Sequence, residues 1–215
     1  MPVDLLVPVK PLIRAKTRLR GTVEWAGSPD GHARLVLALA RDTLAAATRV
    51  AQVRRIVAIC SDEVVCAALA GDGVQTIPDE PAAGLNPALR YGAAVLRAAD
   101  PTTTVVVLQA DLPALRPAEL DCAIRAGLAA GGRAFCADRT GTGTTLLLAP
   151  PGQLLDPAFG PGSAAAHRAN GAWQLAGDWP GLRCDVDTAA DLAAAQELGL
   201  GRFTCAALPR PRLME

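Results

Sequence analysis

The stretch TTVVVLQADLPAL, residues 103–115, decides the fold. Its first half is an apolar, β-branched run, which is typical of a strand buried on both faces of a parallel sheet. The run ends near Asp111, a residue type that strands disfavour and turns accept. The stretch therefore predicts a buried strand whose carboxyl end places one carboxylate at the end of the sheet.

The segments before and after this strand alternate between two patterns. Further apolar runs of strand length occupy residues 3–9, 54–60 and 73–77. Helical spacing of apolar residues occupies 33–50, 86–99 and 117–130. Alternation of this kind predicts an α/β fold with a mostly parallel sheet and helices on both faces.

The rhythm changes after residue 131. Two more strands are predicted at 133–138 and 144–149, then a glycine- and proline-rich loop at 154–163, a short helix at 163–171, a last strand at 182–186 and a closing helix at 188–200. No linker divides the chain, so we expect one domain over residues 1–205. The spacing of the prolines in residues 206–215 disfavours a helix, so these residues are predicted to be a mobile tail.

Composition excludes several classes of protein. The 215 residues carry a formal net charge of zero, which argues against nucleic acid or an acidic membrane as a partner held by bulk electrostatics. We found no membrane-length apolar run and no signal-peptide pattern. The six cysteines are scattered without a CxxC pair, which disfavours zinc sites and disulfide frameworks. We therefore expect a cytoplasmic protein.

A basic segment follows the first predicted strand. The sequence LLVPVKPLIRAKTRLRG, residues 5–21, holds the only two lysines of the chain, Lys10 and Lys16, together with Arg18. The segment has no glycine-rich phosphate loop, so any anion there must be bound by side chains. Lysine offers a compact, mobile charge that suits a triphosphate. A solvated basic loop is the alternative interpretation.

Carboxylates follow two of the predicted strands. Ligands of open parallel sheets bind beyond the carboxyl ends of the strands, which is where Asp111, Asp185 and Asp187 are expected. Mg²⁺ commonly takes one or two carboxylates plus substrate phosphates. Turn and helix-cap roles are the alternatives, although Thr188 is the better cap for the closing helix.

Three glycine-containing segments add candidate anion or nucleotide contacts. GTGTT (141–145) and FGPGS (159–163) offer main-chain donors and hydroxyls, and Ser163 opens a predicted helix. His167, one turn later, either contacts the same ligand or faces solvent. Asn86, in PAAGLNPALRYGA (81–93), either caps its helix or contacts a base or ribose.

Taken in order, these motifs resemble one family almost from end to end. VPVKPLIRAKTRL, AGLNPAL, VVVLQADLPAL, DRTGTGTTLLLA, FGPGSAAAHRANGA and WPGLRCDVDTAADL are similar to the guanylyltransferases that begin side-chain assembly of the deazaflavin coenzyme F-420. The likeness is to the actinobacterial-type branch, which uses phosphoenolpyruvate. It implies a three-layer αβα nucleotidyltransferase fold of the glycosyltransferase-A type with a mixed sheet, GTP as donor, Mg²⁺ as cofactor and release of pyrophosphate.

The resemblance also assigns roles to individual residues. It places phosphoenolpyruvate on Thr144, Gly160 and Ser163, and the metal on Asp111, Asp185 and Asp187. It places the triphosphate on Lys10, Lys16 and Arg18. Asn86 is predicted as a further nucleotide contact from its position in its own loop. Lys10, Lys16 and Asp111 are the predicted catalytic residues. The product is expected to pass to the next enzyme of the pathway, and a homodimer is left open.

The sequence leaves other functions open. The acceptor can instead be 2-phospho-L-lactate or 3-phosphoglycerate, since such acids differ by little in a small pocket. A nucleotidyltransferase acting on a molybdopterin or a sugar phosphate is a further alternative, although those enzymes typically open with a glycine-rich loop. A nucleotide-binding protein without turnover is the alternative from another class.

Overall fold

The computed structural model describes residues 1–9 and 29–208, with side chains from residue 31 in the second range. The strands there are β1 (Val3–Pro8), β2 (Val53–Ile59), β3 (Gln75–Ile77), β4 (Thr104–Leu108), β5 (Ala134–Ala137), β6 (Thr144–Ala149) and β7 (Trp173–Gln174). The helices there are α1 (Pro29–Ala47), α2 (Glu63–Gly71), α3 (Leu85–Ala99), α4 (Pro117–Ala129), α5 (Ser163–Ala169), α6 (Pro180–Arg183), α7 (Ala189–Leu198) and α8 (Arg202–Ala207). None of these helices is long and apolar enough to cross a membrane.

The described strands form one mixed sheet in the order β3-β2-β1-β4-β6-β5-β7. β1 pairs in parallel with both β2 and β4, and β2 pairs in parallel with β3. β6 runs antiparallel to β4 and β5. The end of the sheet at which β1 to β4 finish, here called the carboxyl end, therefore also holds the start of β6 and the finish of β5.

The central strand β4 is buried on both faces, as its sequence predicts. Val106 and Leu108 pack into a core with residues of α1, α2 and α4. Val105 and Val107 point the other way and pack with residues of α3 and α5. Because successive strand residues alternate between faces, one apolar run supplies both cores. The predicted three-layer αβα architecture is confirmed.

The strand predicted at residues 182–186 is wrong. Pro180 occupies the first turn of α6, where its fixed φ favours a helix and its missing N–H costs nothing. The buried Glu119 carboxylate then accepts a 2.8 Å hydrogen bond from the Leu182 N–H. The last strand of the sheet is instead β7, a two-residue strand that pairs with β5.

Two further helices were missed by the sequence pattern. α2 is capped by Asp62, whose carboxylate accepts from the Val64 and Val65 N–H groups. α8 begins where the buried Asp42 carboxylate accepts from the Phe203 and Thr204 N–H groups, at 3.0 and 2.7 Å. α8 thus takes up the first residues of the predicted mobile tail, and residues 209–215 lie outside the described chain.

Candidate active site

Two of the predicted metal ligands meet at the carboxyl end of the sheet. Asp111 follows β4, and its main-chain oxygen accepts a 3.0 Å hydrogen bond from the Val186 N–H. This bond ties the CDVDT segment to the end of the central strand. Asp111 and Asp187 line one cavity, whose other walls come from the ends of β1 and β4 and from α1 and α3: Pro8, Val9, Val36, Leu39, Ala40, Leu85, Gln109 and Ala110.

The CDVDT segment is held by its apolar residue rather than by strand pairing. Val186 is fully buried, whereas Asp185 is half-buried and Asp187 is exposed. The cavity that Asp111 lines includes Asp187 but not Asp185. The structure therefore brings together Asp111 and Asp187, and it leaves Asp185 outside their shared cavity.

A capping box fixes the start of α7 directly after Asp187. The Thr188 hydroxyl accepts from the Asp191 N–H, and the Asp191 carboxylate accepts from the Thr188 N–H. Although burial alone raises the pKa of Asp191, hydrogen bonds from Thr188 and Arg139 hold that pKa below its usual value. The predicted cap at Thr188 is confirmed.

The predicted phosphoenolpyruvate contacts also lie together. The Ser163 hydroxyl donates to the Thr144 hydroxyl at 3.1 Å, and the Ser163 N–H donates to the Gly160 carbonyl at 3.1 Å. Gly160 has φ +141°, a conformation that favours glycine. Thr144 starts β6, and β6 runs antiparallel to β4, so these hydroxyls lie at the same end of the sheet as Asp111.

His167 joins this group of hydroxyls. Its Nδ1 lies 3.0 Å from the Thr144 hydroxyl, and its Nε2 accepts from the Ala158 N–H at 3.0 Å. The ring is 1% exposed and contacts the Phe135 and Phe159 rings. Burial lowers the pKa of His167 to about 4. The side chain does not face solvent, which corrects one of the two expectations for it.

The sequence spacing of Ser163 and His167 predicts part of this arrangement. Ser163 and His167 are four residues apart, and residues at this spacing share one face of a helix. Both are buried in α5. The signal predicts proximity to Ser163, but it does not predict the contact with Thr144, which depends on the folded position of β6.

Asn86 contacts the loop that carries Gly160. Its amide donates to the Phe159 carbonyl at 3.0 Å and accepts from the Phe159 N–H at 2.8 Å. The expected helix cap at Asn86 is wrong, because Gly84 precedes α3 as its cap residue. The described contacts of Asn86 position the 154–163 loop, and its role toward a nucleotide stays a prediction.

The basic residues Lys10, Lys16 and Arg18 lie outside the described residues. The chain leaves β1 at Pro8 and Val9, and both of these residues line the cavity with Asp111 and Asp187. Val9 is fixed there by a 2.9 Å hydrogen bond from its N–H to the Ile59 carbonyl. Val9, the last described residue before Lys10, therefore lies in the same cavity wall as Asp111 and Asp187.

The donor set at the cavity suits a hard cation. Across residues 1–9 and 29–208, no group of three or more His, Cys, Asp and Glu side chains could hold a metal by itself. Asp111 and Asp187 instead both line one cavity, with Gln109 in the same wall. Mg²⁺ is commonly bound in this way, with the remaining ligands supplied by substrate phosphates and water.

Comparison with known protein families gives a match over most of the chain. The model of the family described as "Guanylyl transferase CofC like" matches residues 3–169. The chain belongs to this CofC-like guanylyl transferase family. The resemblance found in the sequence motifs is thereby confirmed.

Curated members of the CofC-like family match almost the full length. A phosphoenolpyruvate guanylyltransferase of Thermomonospora curvata is 51% identical over 209 residues, which cover 96% of this chain and 89% of the relative. One of Geodermatophilus obscurus is 50% identical over 206 residues, which cover 95% and 93%.

Solved structures confirm the fold of this CofC-like chain. A putative nucleotide-diphospho-sugar transferase from Desulfovibrio desulfuricans superposes with a TM-score of 0.63 at 21% identity, covering 89% of this chain and 85% of that one. A CMP:2-keto-3-deoxy-manno-octonic acid synthetase complexed with CTP superposes with a TM-score of 0.57 at 14% identity, covering 92% and 98%. The predicted nucleotidyltransferase fold is confirmed.

Proposed function

We propose that this chain transfers GMP from GTP to phosphoenolpyruvate, giving enolpyruvoyl-2-diphospho-5'-guanosine and pyrophosphate, in coenzyme F-420 biosynthesis. The observation that carries the proposal is that one end of the sheet gathers two groups of residues. Asp111 and Asp187 line one cavity there, and the linked hydroxyls of Thr144 and Ser163 lie at the same end. The names of the relatives at about 50% identity support the choice of substrates.

The reaction needs no strong base. A phosphate monoester has a second pKa of about 6, so the acceptor phosphate is already ionised at pH 7. One of its oxygens attacks the α-phosphorus of GTP, and a new P–O bond forms. The bond between the α-phosphorus and the bridging oxygen breaks, and pyrophosphate leaves with that electron pair. His167 is not needed as a base, and its low pKa makes it a poor one.

The residues of the chain position the reactants and compensate charge. Thr144, Gly160 and Ser163 bind the phosphoenolpyruvate, and the basic segment with Lys10, Lys16 and Arg18 binds the triphosphate. Asp111 and Asp187 would hold Mg²⁺, which when bound would offset the charge on the phosphate oxygens. Catalysis then rests on orientation and electrostatic stabilisation.

The decisive experiment measures pyrophosphate release from GTP and Mg²⁺ with each acceptor separately. We expect the largest kcat/KM with phosphoenolpyruvate and lower values with 2-phospho-L-lactate and 3-phosphoglycerate. Replacing GTP by ATP or CTP tests the nucleotide, and chelation tests the metal. A preference for another of these acids overturns the acceptor. No release with any of them, while GTP still binds, favours the non-catalytic alternative or an acceptor outside this series.

The basic segment is tested by Lys10→Ala and Lys16→Ala. We expect each to raise the KM for GTP by roughly tenfold, the scale of one hydrogen bond to a charged group, and to leave the KM for phosphoenolpyruvate within about threefold. Arg49→Ala is the matched control, because Arg49 is exposed and lies just before β2, at the opposite end of the sheet. An unchanged KM for GTP in both lysine variants contradicts the assignment of Lys10 and Lys16 to the triphosphate.

The cytoplasmic location of the reaction remains a prediction.

A further inference from the structure

His167 is buried beside the predicted acceptor site, but the proposed reaction gives it no task. The ring is 1% exposed, and both of its nitrogens make contacts within hydrogen-bond distance. The rings of Phe135 and Phe159 pack against it, with centroids 5.7 and 5.0 Å from the imidazole centroid. A polar side chain held so closely fixes the geometry of its partners, so the direction of each hydrogen bond is informative.

The two contacts determine which nitrogen carries the proton. Nε2 faces the Ala158 main-chain N–H at 3.0 Å, and a main-chain N–H can only donate. Nε2 must therefore be an acceptor without a proton. Since burial lowers the pKa of His167 to about 4, the ring is neutral at pH 7. Its single proton is on Nδ1, which donates to the Thr144 hydroxyl 3.0 Å away.

The direction of these bonds determines the direction of the Thr144 hydroxyl. That oxygen accepts from Nδ1 of His167 and from the Ser163 hydroxyl, at 3.0 and 3.1 Å. A hydroxyl has two lone pairs and one proton, so both lone pairs are engaged. The proton of Thr144 can go neither to His167 nor to Ser163. It is available to a third partner, and that partner must be an acceptor.

We propose that His167 is a positioning residue that acts through Thr144: it holds the Thr144 hydroxyl as a donor aimed at an anionic group of the bound acceptor acid. The identity of that acid rests on the proposed function. The order of the hydrogen bonds, from His167 to Thr144 and from Thr144 to an anion, does not depend on the proposed function. If Nδ1 of His167 were instead an acceptor, this order would be reversed. The Thr144 hydroxyl would then donate to His167 and turn a lone pair toward the anion.

Charged groups near the ring bear on its protonation. Asp156 favours the imidazolium and Arg133 disfavours it, and both are weaker than the effect of burial. The Arg133 guanidinium donates to the Asp156 carboxylate at 2.8 Å, so the two charges offset each other. The neutral ring is consequently maintained across the pH range in which the acceptor phosphate is ionised.

The first test reads the tautomer directly by ¹⁵N NMR of the full-length protein at pH 7. The chain has only two histidines, so the signals that vanish in His167→Gln identify the ring. We expect one protonated and one unprotonated nitrogen, with the proton on Nδ1. A proton on Nε2, or an imidazolium, overturns the proposal. This measurement requires no turnover.

The second test uses two variants that each keep one half of the contacts. His167→Asn places an amide N–H near the position of Nδ1, so it can still donate to Thr144. His167→Gln places its amide near Nε2, so it can still accept from Ala158. We expect the Gln variant to raise the KM for phosphoenolpyruvate by roughly tenfold to a hundredfold, as for the loss of one hydrogen bond to a charged group. We expect the Asn variant to stay within about threefold of wild type.

The KM for GTP and the melting temperature separate positioning from stability. A purely structural histidine predicts that the KM for phosphoenolpyruvate follows the melting temperature in both variants, and this result overturns the proposal. The positioning role predicts that the KM follows the donor to Thr144, with the KM for GTP unchanged. If wild-type protein releases no pyrophosphate with phosphoenolpyruvate, the proposed function fails, and the tautomer experiment decides the hydrogen-bond order alone.

Discussion

The two ends of the sheet place carboxylates in different surroundings. At the amino end, Asp4 of β1 is fully buried, and its carboxylate accepts hydrogen bonds from Arg54, Arg55 and Thr103. At the carboxyl end, Asp111 and Asp187 line a cavity. Side chains of the protein neutralise the buried charge at the amino end, and the two aspartates at the other end lie in the wall of a cavity.

The hydrogen-bond network around Asp4 extends to a second carboxylate at the amino end, that of Asp100. Arg54 also donates to Asp100 at 2.7 Å, and hydrogen bonds from Thr102 and Arg54 lower the pKa of Asp100 to about 2. Burial alone raises the pKa of Asp4, but the bonds from Arg54 and Arg55 outweigh it and keep the pKa below its usual value. This contrast suggests that changes at the amino end affect stability and changes at the carboxyl end affect turnover.

The largest effect is expected from Asp111→Asn. Removing one carboxylate from the cavity weakens metal binding and charge compensation, so we expect kcat/KM to fall by roughly a hundredfold to a thousandfold. The melting temperature should change little, because the side chain remains the same size. Pyrophosphate release and thermal unfolding measure the two effects. Asp178→Asn, at an exposed position, is the matched control. Full activity in the Asp111 variant contradicts its role at the metal.

Asp4→Asn is expected to do the reverse. It leaves two guanidinium groups beside a buried neutral amide, and breaking one side of a buried ion pair typically costs about 3 kcal/mol or more. Because Arg54 and Arg55 are partly exposed, we expect a loss of about 3 kcal/mol in the free energy of unfolding, measured by urea titration. The kcat/KM of the folded fraction should stay within about twofold. A large loss of kcat/KM at full stability shows that the two ends are not independent.

The two ends of the sheet are expected to contribute to stability in different pH ranges. His167 has a pKa of about 4 when folded and about 6.5 when unfolded, so the unfolded chain binds more protons between these values. The contribution of the neutral His167 to the free energy of unfolding is therefore present above pH 6.5 and is lost as the pH falls toward 4. The expected loss is about 2 kcal/mol between pH 7.5 and pH 5.

Asp4 acts in a lower range. Its folded pKa lies below the usual 3.8, so its contribution is present above that value and is lost only as the pH falls through the folded pKa. Urea titrations of wild type and His167→Gln across pH 7.5 to 5 test the assignment. We expect the slope attributed to His167 to vanish in the variant. An unchanged slope contradicts the neutral, buried histidine.

Local patterns predicted β1 to β6, but not β7 or every helix around the sheet. The β-branched run of β4 determined a buried central strand, because burial on both faces requires apolar residues at every position. The same rule placed Asp111 at the carboxyl end. The strand predicted at 182–186 failed because the Glu119 carboxylate, which accepts from Leu182 in the observed turn, lies 63 residues away in sequence.

In the candidate site too, some residues were identified from the sequence, whereas the roles of others depend on tertiary contacts. Thr144, Gly160 and Ser163 were identified by resemblance, and the structure shows that they lie together. The roles of His167 and Asn86 depend on distant partners, Thr144 and Phe159, that come close only after folding. Such tertiary contacts have no local sequence signature, because neither spacing nor propensity encodes them.

Asn86→Ala tests one of these contacts and is expected to have the smallest effect. The variant loses both hydrogen bonds to the Phe159 main chain, so the loop that carries Gly160 is held less firmly. We expect a loss of about 1 to 2 kcal/mol in stability and a rise of roughly fivefold in the KM for phosphoenolpyruvate. The KM for GTP distinguishes the two roles of Asn86. If it rises instead, Asn86 contacts the nucleotide as the sequence predicted, and the Phe159 contact is secondary.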